Sequence, residues 1–69
     1  MRKSLLRKTR EAAGQSLTEL SIRSGVPIAG LSRIERGAKC SQPVARRLAA
    51  ALAVRAEDVF PNFSTLRTW

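Results

Sequence analysis

The chain has no histidine, one cysteine and only five acidic residues in 69. Each scarcity closes off some chemistry. Without histidine, the usual general base and the commonest metal ligand are both missing. A lone cysteine, Cys40, allows neither an intramolecular disulfide nor a cysteine cluster for zinc. With few acids, no phosphate-cradling glycine loop and no setting that would activate the thiol, no catalytic constellation can be assembled. An enzyme, a cofactor and a bound metal are therefore all unexpected. No apolar run approaches the roughly 20 residues of a membrane span, and the opening MRKSLLRKTREAAG lacks the apolar stretch of a secretory signal. The expectation is a cytoplasmic, single-domain protein over residues 1–69, with its core over about 3–60 and a tail over 61–69.

What is abundant is positive charge. Thirteen Lys and Arg leave a net charge of +8, which points to a polyanion as partner, nucleic acid ahead of an anionic membrane. Glycine and proline then cut the chain into short segments whose apolar residues recur at helical spacing. The first runs from about Lys3 to Ala13, offers Leu5, Leu6 and Ala13 to a core, and stops at Gly14. The second opens at Ser16 with Glu19 three residues on, a capping-box pattern, and presents Leu17, Leu20 and Ser24 before Gly25. Pro27 starts a third segment that ends at Gly37. The fourth spans about Ser41 to Val54, with Val44, Leu48, Ala51 and Leu52 inward and Arg46 and Ala50 outward. A fifth covers about Ala56 to Phe60, before Pro61 and the tail NFSTLRTW. No segment alternates with the period of a strand, so the fold class is all-α.

The third segment has two unlike faces. On a wheel of about 100° per residue with Leu31 at zero, Ile34 and Glu35 fall within about 60° of it and Ile28 sits at the rim. Ser32, Arg36, Ala29 and Arg33 lie between roughly 100° and 200°, on the opposite side. That face is small, polar and basic, and it carries no acid. Two short helices joined by a tight turn at Gly25 form a helix-turn-helix candidate, whose second helix fits the major groove while the first crosses the backbone. Val26, Leu31 and Leu20 would lock the two at a fixed angle. Seating a helix deeply calls for small residues and a long donor to guanine, which Ala29, Ser32 and Arg33 supply.

From Leu5 to Phe60 the sequence resembles the lambda-repressor-like, Xre-type family of small bacterial and phage regulators. The residues that carry the likeness are LRKTRE at 6–11, ELSIRSGV at 19–26, LSRIERG at 31–37 and ALAVRAEDVF at 51–60. The resemblance implies a five-helix domain whose third helix reads DNA, commonly as a homodimer on a two-fold operator. It also implies an ion pair between Arg10 and Glu35, tying the first helix to the third, and the wheel puts Glu35 on the inner side. Two positions depart from the family pattern. Leu17 stands where a phosphate-contacting glutamine is common, and the third helix begins Pro27, Ile28, Ala29, Gly30 rather than with polar residues. Direct reading then rests on Arg33, Ser32 and apolar contact of Ile28 or Ala29 with thymine methyls, or else specificity comes more from DNA shape.

Around that face, Arg36 and Lys39 are expected at phosphates. Thr18, Ser16 and Ser41 could bring hydroxyls or helix-end amides to phosphates, with plain helix capping as the alternative for both serines. With Pro27, Ile28, Ala29, Ser32 and Arg33 they make up the candidate DNA-binding set. Arg2, Lys3, Arg7 and Lys8 read as a solvated basic face, with an arm along the duplex as the alternative. Cys40 reads as a bystander in a loop. The tail, with Val59, Phe60, Phe63, Leu66 and Trp69, carries more apolar surface than a small core covers. It either folds back on the first and fifth helices or joins two chains, and the second is expected. The resulting reading is a dimeric DNA-binding transcriptional regulator, a repressor or autoregulator of phage, restriction–modification or toxin–antitoxin type, with double-stranded DNA as partner. The alternative is an antitoxin-like interaction module that neutralises a partner protein. A membrane-active peptide would need one long amphipathic helix, which the glycines interrupt.

Overall fold

Serine opens three of the helices. The computed structural model describes residues 4–69, so the expected roles of Arg2 and Lys3 lie outside the described residues. Ser4 caps α1 (Leu5–Ala12), Ser16 caps α2 (Leu17–Ser24) and Ser41 caps α4 (Gln42–Ala51), each hydroxyl accepting from the amide three residues on. Such caps contribute about 1 kcal/mol each. The reciprocal half of the capping box is present at α2, where Ser16 N donates to Glu19 Oε1 at 3.3 Å. Between α2 and α4 lies α3 (Ile28–Glu35), preceded by Pro27 and lacking any side-chain cap. A short α5 (Ala56–Val59) and a single 3-10 turn (Phe63–Thr65) complete the chain. Among the described residues there is no strand, no helix long and apolar enough to cross a membrane, and no cluster of groups fit to hold a metal. The fold is all-α.

Leu6, Leu20, Val26, Leu31, Leu48 and Leu52 form the central core. Four of them, Leu6, Leu20, Leu31 and Leu48, are fully buried, worth about 2–3 kcal/mol each against exposure. Only Leu6 of the first helix is buried; Leu5, expected inside, lies off the buried stripe of α1, and Ala13, also expected inside, falls past the helix end as its exposed C-cap. On α4 the buried stripe is Ala45, Leu48, Ala49 and Leu52, while Val44 and Ala51 sit at its edge. The alanines bring α2 and α4 close, and the helix ends at Ala51, three residues before the Val54 expected from the pattern.

The early end of α4 has a local cause. Val54 N donates to Ala49 O at 3.0 Å and Ala53 N to Ala50 O at 3.1 Å, the paired bonds of a Schellman stop. That stop requires a left-handed residue between them, and Ala53 supplies it with φ 57°. A β-carbon in this conformation costs roughly 1–2 kcal/mol. Ala53→Gly should therefore raise stability by about 0.5–1 kcal/mol, net of glycine's extra freedom when unfolded. A urea midpoint that stays put or falls would show that Ala53 carries no strain.

Beyond α5 the tail folds back, but onto α4. Gln42 Nε2 donates to Phe63 O at 3.2 Å and Leu66 O at 3.3 Å, and the Arg46 guanidinium lies 5.4 Å from the centre of the Phe63 ring. Leu66 joins Cys40 and Ala45 in a second small core, against which Phe60 and Phe63 pack. The five tail residues expected to join two chains therefore differ in what they leave exposed. Val59 and Leu66 are 3% and 8% exposed within their own chain, so neither is free to join two chains. Phe60 and Phe63 are half-buried, and Trp69, at 79%, is the one residue of the five that stands open.

Candidate nucleic-acid interface

The angle between α2 and α3 is set by a turn with its own hydrogen bonds. Gly25 takes φ 75°, a conformation that glycine adopts without penalty. Ser24 Oγ donates to Leu20 O at 2.7 Å and accepts from Val26 N at 3.2 Å, while Ser21 Oγ donates to Val26 O at 2.6 Å. Polar backbone at the turn is thus hydrogen-bonded by two serines. Val26 and Leu31 then sit in the core beneath the turn.

A buried ion pair holds the far edge of α3. Arg10 Nε donates to Glu35 Oε2 at 2.7 Å and Nη2 to Oε1 at 3.2 Å, with side chains 11% and 9% exposed. Nη1 donates to Gln15 O at 2.9 Å, so the guanidinium fork is used three ways. The Arg10 pKa is raised, first by the hydrogen bond to Glu35 and less by its charge and that of Glu11, against the cost of burial. Glu35 is thereby turned away from the outer face of α3.

What remains outward on α3 is Ile28, Ala29 and Arg33, with Ser32 half-exposed and Arg36 just beyond the helix. Lys39 is exposed on the loop that follows. Gly30, Arg33, Lys39 and Ser41 line one concavity of about 360 Å³ between α3, this loop and the start of α4. Gly30 has no internal reason to be glycine: a β-carbon there would meet no atom within 4 Å. Its cost to the helix is about 1 kcal/mol relative to alanine, and the space over it is open.

Three serine and threonine positions separate here. Ser16 is exposed but its hydroxyl accepts from Glu19 N at 3.1 Å, so it serves as a cap. Ser41 is 7% exposed and its hydroxyl accepts from Val44 N at 3.4 Å, the capping role that was its alternative. Thr18 is exposed on the first turn of α2. Leu17, where the family pattern has glutamine, is half-buried against the central core. The N-terminus of α2 also carries Glu19, an unfavourable neighbour for a phosphate.

Two features escaped the sequence reading. The turn serines give no signal beyond small size at core spacing. Arg67 is the other: it lines the same concavity as Arg33 and Lys39, brought there by the tail, and only the spacing of Phe63 and Leu66 hinted that the tail would pack at all. Cys40 is buried in the second core, and that burial pushes its thiol pKa up against the opposing effect of a backbone hydrogen bond. It is a core residue with little thiolate to react.

A family model described as a helix-turn-helix domain matches residues 4–60. No curated protein and no solved structure matches the chain. The match stops at Phe60, so the packed tail lies beyond it.

Proposed function

Because the chain belongs to the helix-turn-helix domain family, we propose that it is a sequence-specific, DNA-binding transcriptional regulator that reads the major groove with α3. One observation carries this reading. The outer face of α3 is low at Ala29 and Gly30 and tall and basic at Arg33, and the only acid of the helix is buried against Arg10. A low face lets the helix seat deeply, and the arginine then reaches base edges. Ile28 and Ala29 meet thymine methyls, Pro27 and Thr18 lie at the groove rim, and Arg36 and Lys39 hold phosphates.

Two chains on a two-fold operator, with half-sites about 34 Å apart, would each present one such face. Val59 and Leu66 take no part in joining them, being inside. On this reading the protein acts in the cytoplasm as a repressor or autoregulator, residues 1–69 forming one domain. Selection of bound sequences from a random duplex pool at about 150 mM salt, where non-specific attraction is already weakened, tests it. An enriched two-fold site is the expected result. A folded protein that enriches nothing would overturn the reading in favour of a module that binds another protein.

Lys39→Ala provides a second check. It should weaken binding to every duplex by a similar factor and lower the salt slope by about 0.9 for each bound chain. A loss confined to the selected site would instead make Lys39 a reader of bases.

A further inference from the structure

We propose that the tail beyond α5 is a second DNA-contacting element, in which Arg67 takes a backbone phosphate beside the one held by Lys39. The inference rests on the DNA-binding reading above and adds to it a contact outside the span that the family model matches.

The first ground is position. Arg67 shares with Gly30, Arg33 and Lys39 the concavity of about 360 Å³, whose lining contains no acid. None of the ion pairs among the described residues involves Arg33, Lys39 or Arg67; they occupy Arg7, Arg10 and Arg55. Arg33, Lys39 and Arg67 thus line one concave wall, and a polyanion laid across it meets all three.

The second ground is anchorage. Gln42 N donates to Arg67 O at 2.6 Å, Gln42 Nε2 grips Phe63 O and Leu66 O, and Leu66 is buried beside Cys40 and Ala45. The guanidinium is thus carried on backbone already ordered before any ligand arrives, which lowers the entropy cost of a contact. Its charged end lies 5.9 Å from the centre of the Trp69 ring.

The third ground is what the start of α4 no longer offers. Gln42 N is taken by Arg67 O, Pro43 has no amide hydrogen, and Val44 N is taken by Ser41 Oγ. A phosphate reaching this helix end finds its first donors occupied. The same tail that occupies one of them sets a guanidinium next to it. The phosphate is then held by side-chain charge, from Lys39 and Arg67, in place of helix amides.

The test uses the full chain and a mixed-sequence duplex of about 20 base pairs, so that no operator need be known. Binding is titrated by anisotropy of a labelled duplex across salt concentrations for the unmodified protein, Arg67→Gln, Arg67→Lys and Arg55→Ala. Arg55 is exposed and lies away from the concavity, so it measures the loss of one positive charge at large. Arg67→Gln keeps the backbone carbonyl that binds Gln42, and a thermal melt checks its fold. It should bind about fivefold more weakly per bound chain at 150 mM salt, with a salt slope lower by about 0.9. Arg67→Lys should recover most of both, and Arg67→Met, which keeps the apolar stem and the backbone carbonyl, supplies the comparison with Arg55→Ala should the glutamine variant fail to fold. If Arg67→Gln matches Arg55→Ala in loss and in slope while the unmodified protein binds, the tail contact is overturned and the α3 reading stands. If the unmodified protein shows no salt-dependent binding to any duplex, the DNA-binding reading falls and takes this contact with it.

Discussion

Glu35→Ala should destabilise the protein by about 3 kcal/mol, lowering its melting temperature by roughly 10–25 °C for a domain of this size. The loss comes from what stays behind. With the carboxylate gone, a guanidinium 11% exposed keeps one hydrogen bond, to the Gln15 carbonyl, and the weaker attraction of Glu11, and a buried charge without its main counter-charge is costly. A 69-residue chain has a total stability of only about 3–10 kcal/mol, so the variant would sit near its unfolding threshold at growth temperature. DNA binding should fail with the fold and return on cooling, because Glu35 faces inward and touches no ligand. Replacing both partners, as in Arg10→Met with Glu35→Leu, should recover most of the loss, since a well-packed apolar pair removes the desolvation cost. A melting shift below about 3 °C for the single variant would sink the clamping role. The raised pKa of Arg10 fixes the sign of its pH dependence. Its contribution is complete below the unfolded arginine value and is lost only as pH climbs through the higher folded one. From the arginine's side, then, the clamp holds from neutral into strongly alkaline solution.

Arg33→Ala should cost about 1–3 kcal/mol on the selected site, about five- to 150-fold in affinity, and relax the preference at one position of each half-site. The side chain is exposed on the face opposite the fully buried Leu31, one turn from Ala29 and beside the unfilled space over Gly30. A bidentate contact to guanine is the chemistry that a guanidinium at such a place performs best. Random duplex, which lacks that guanine in register, should lose much less. Competition of the selected site against scrambled duplex measures the ratio directly. Equal weakening of both would move Arg33 from base reading to phosphate contact, the behaviour expected of Lys39.

The five helices and the division of α3 into two faces were legible because their signals are local. A serine three residues before the amide it caps, a glycine one residue past a helix end, and apolar positions three and four apart all act within one or two turns. Ser16 with Glu19 and the basic face of α3 could be read without knowing what lay across from them. The Arg10–Glu35 pair spans 25 residues and was legible only through the family resemblance.

Only the tertiary structure decided what the tail does. Val59, Phe63 and Leu66 show in sequence as surplus apolar surface, and nothing local says whether a second chain or their own α4 will cover it. Gln42 ties the tail to α4 through hydrogen bonds to partners 21 and 24 residues away, and no periodicity encodes such a separation. The same packing occupies the Gln42 amide at the start of α4 and brings Arg67 to the concavity that Lys39 lines. Composition and helical period determine which elements form and which face each must bury. Which charges end up side by side depends on where distant segments dock, and that is a property of the packed core.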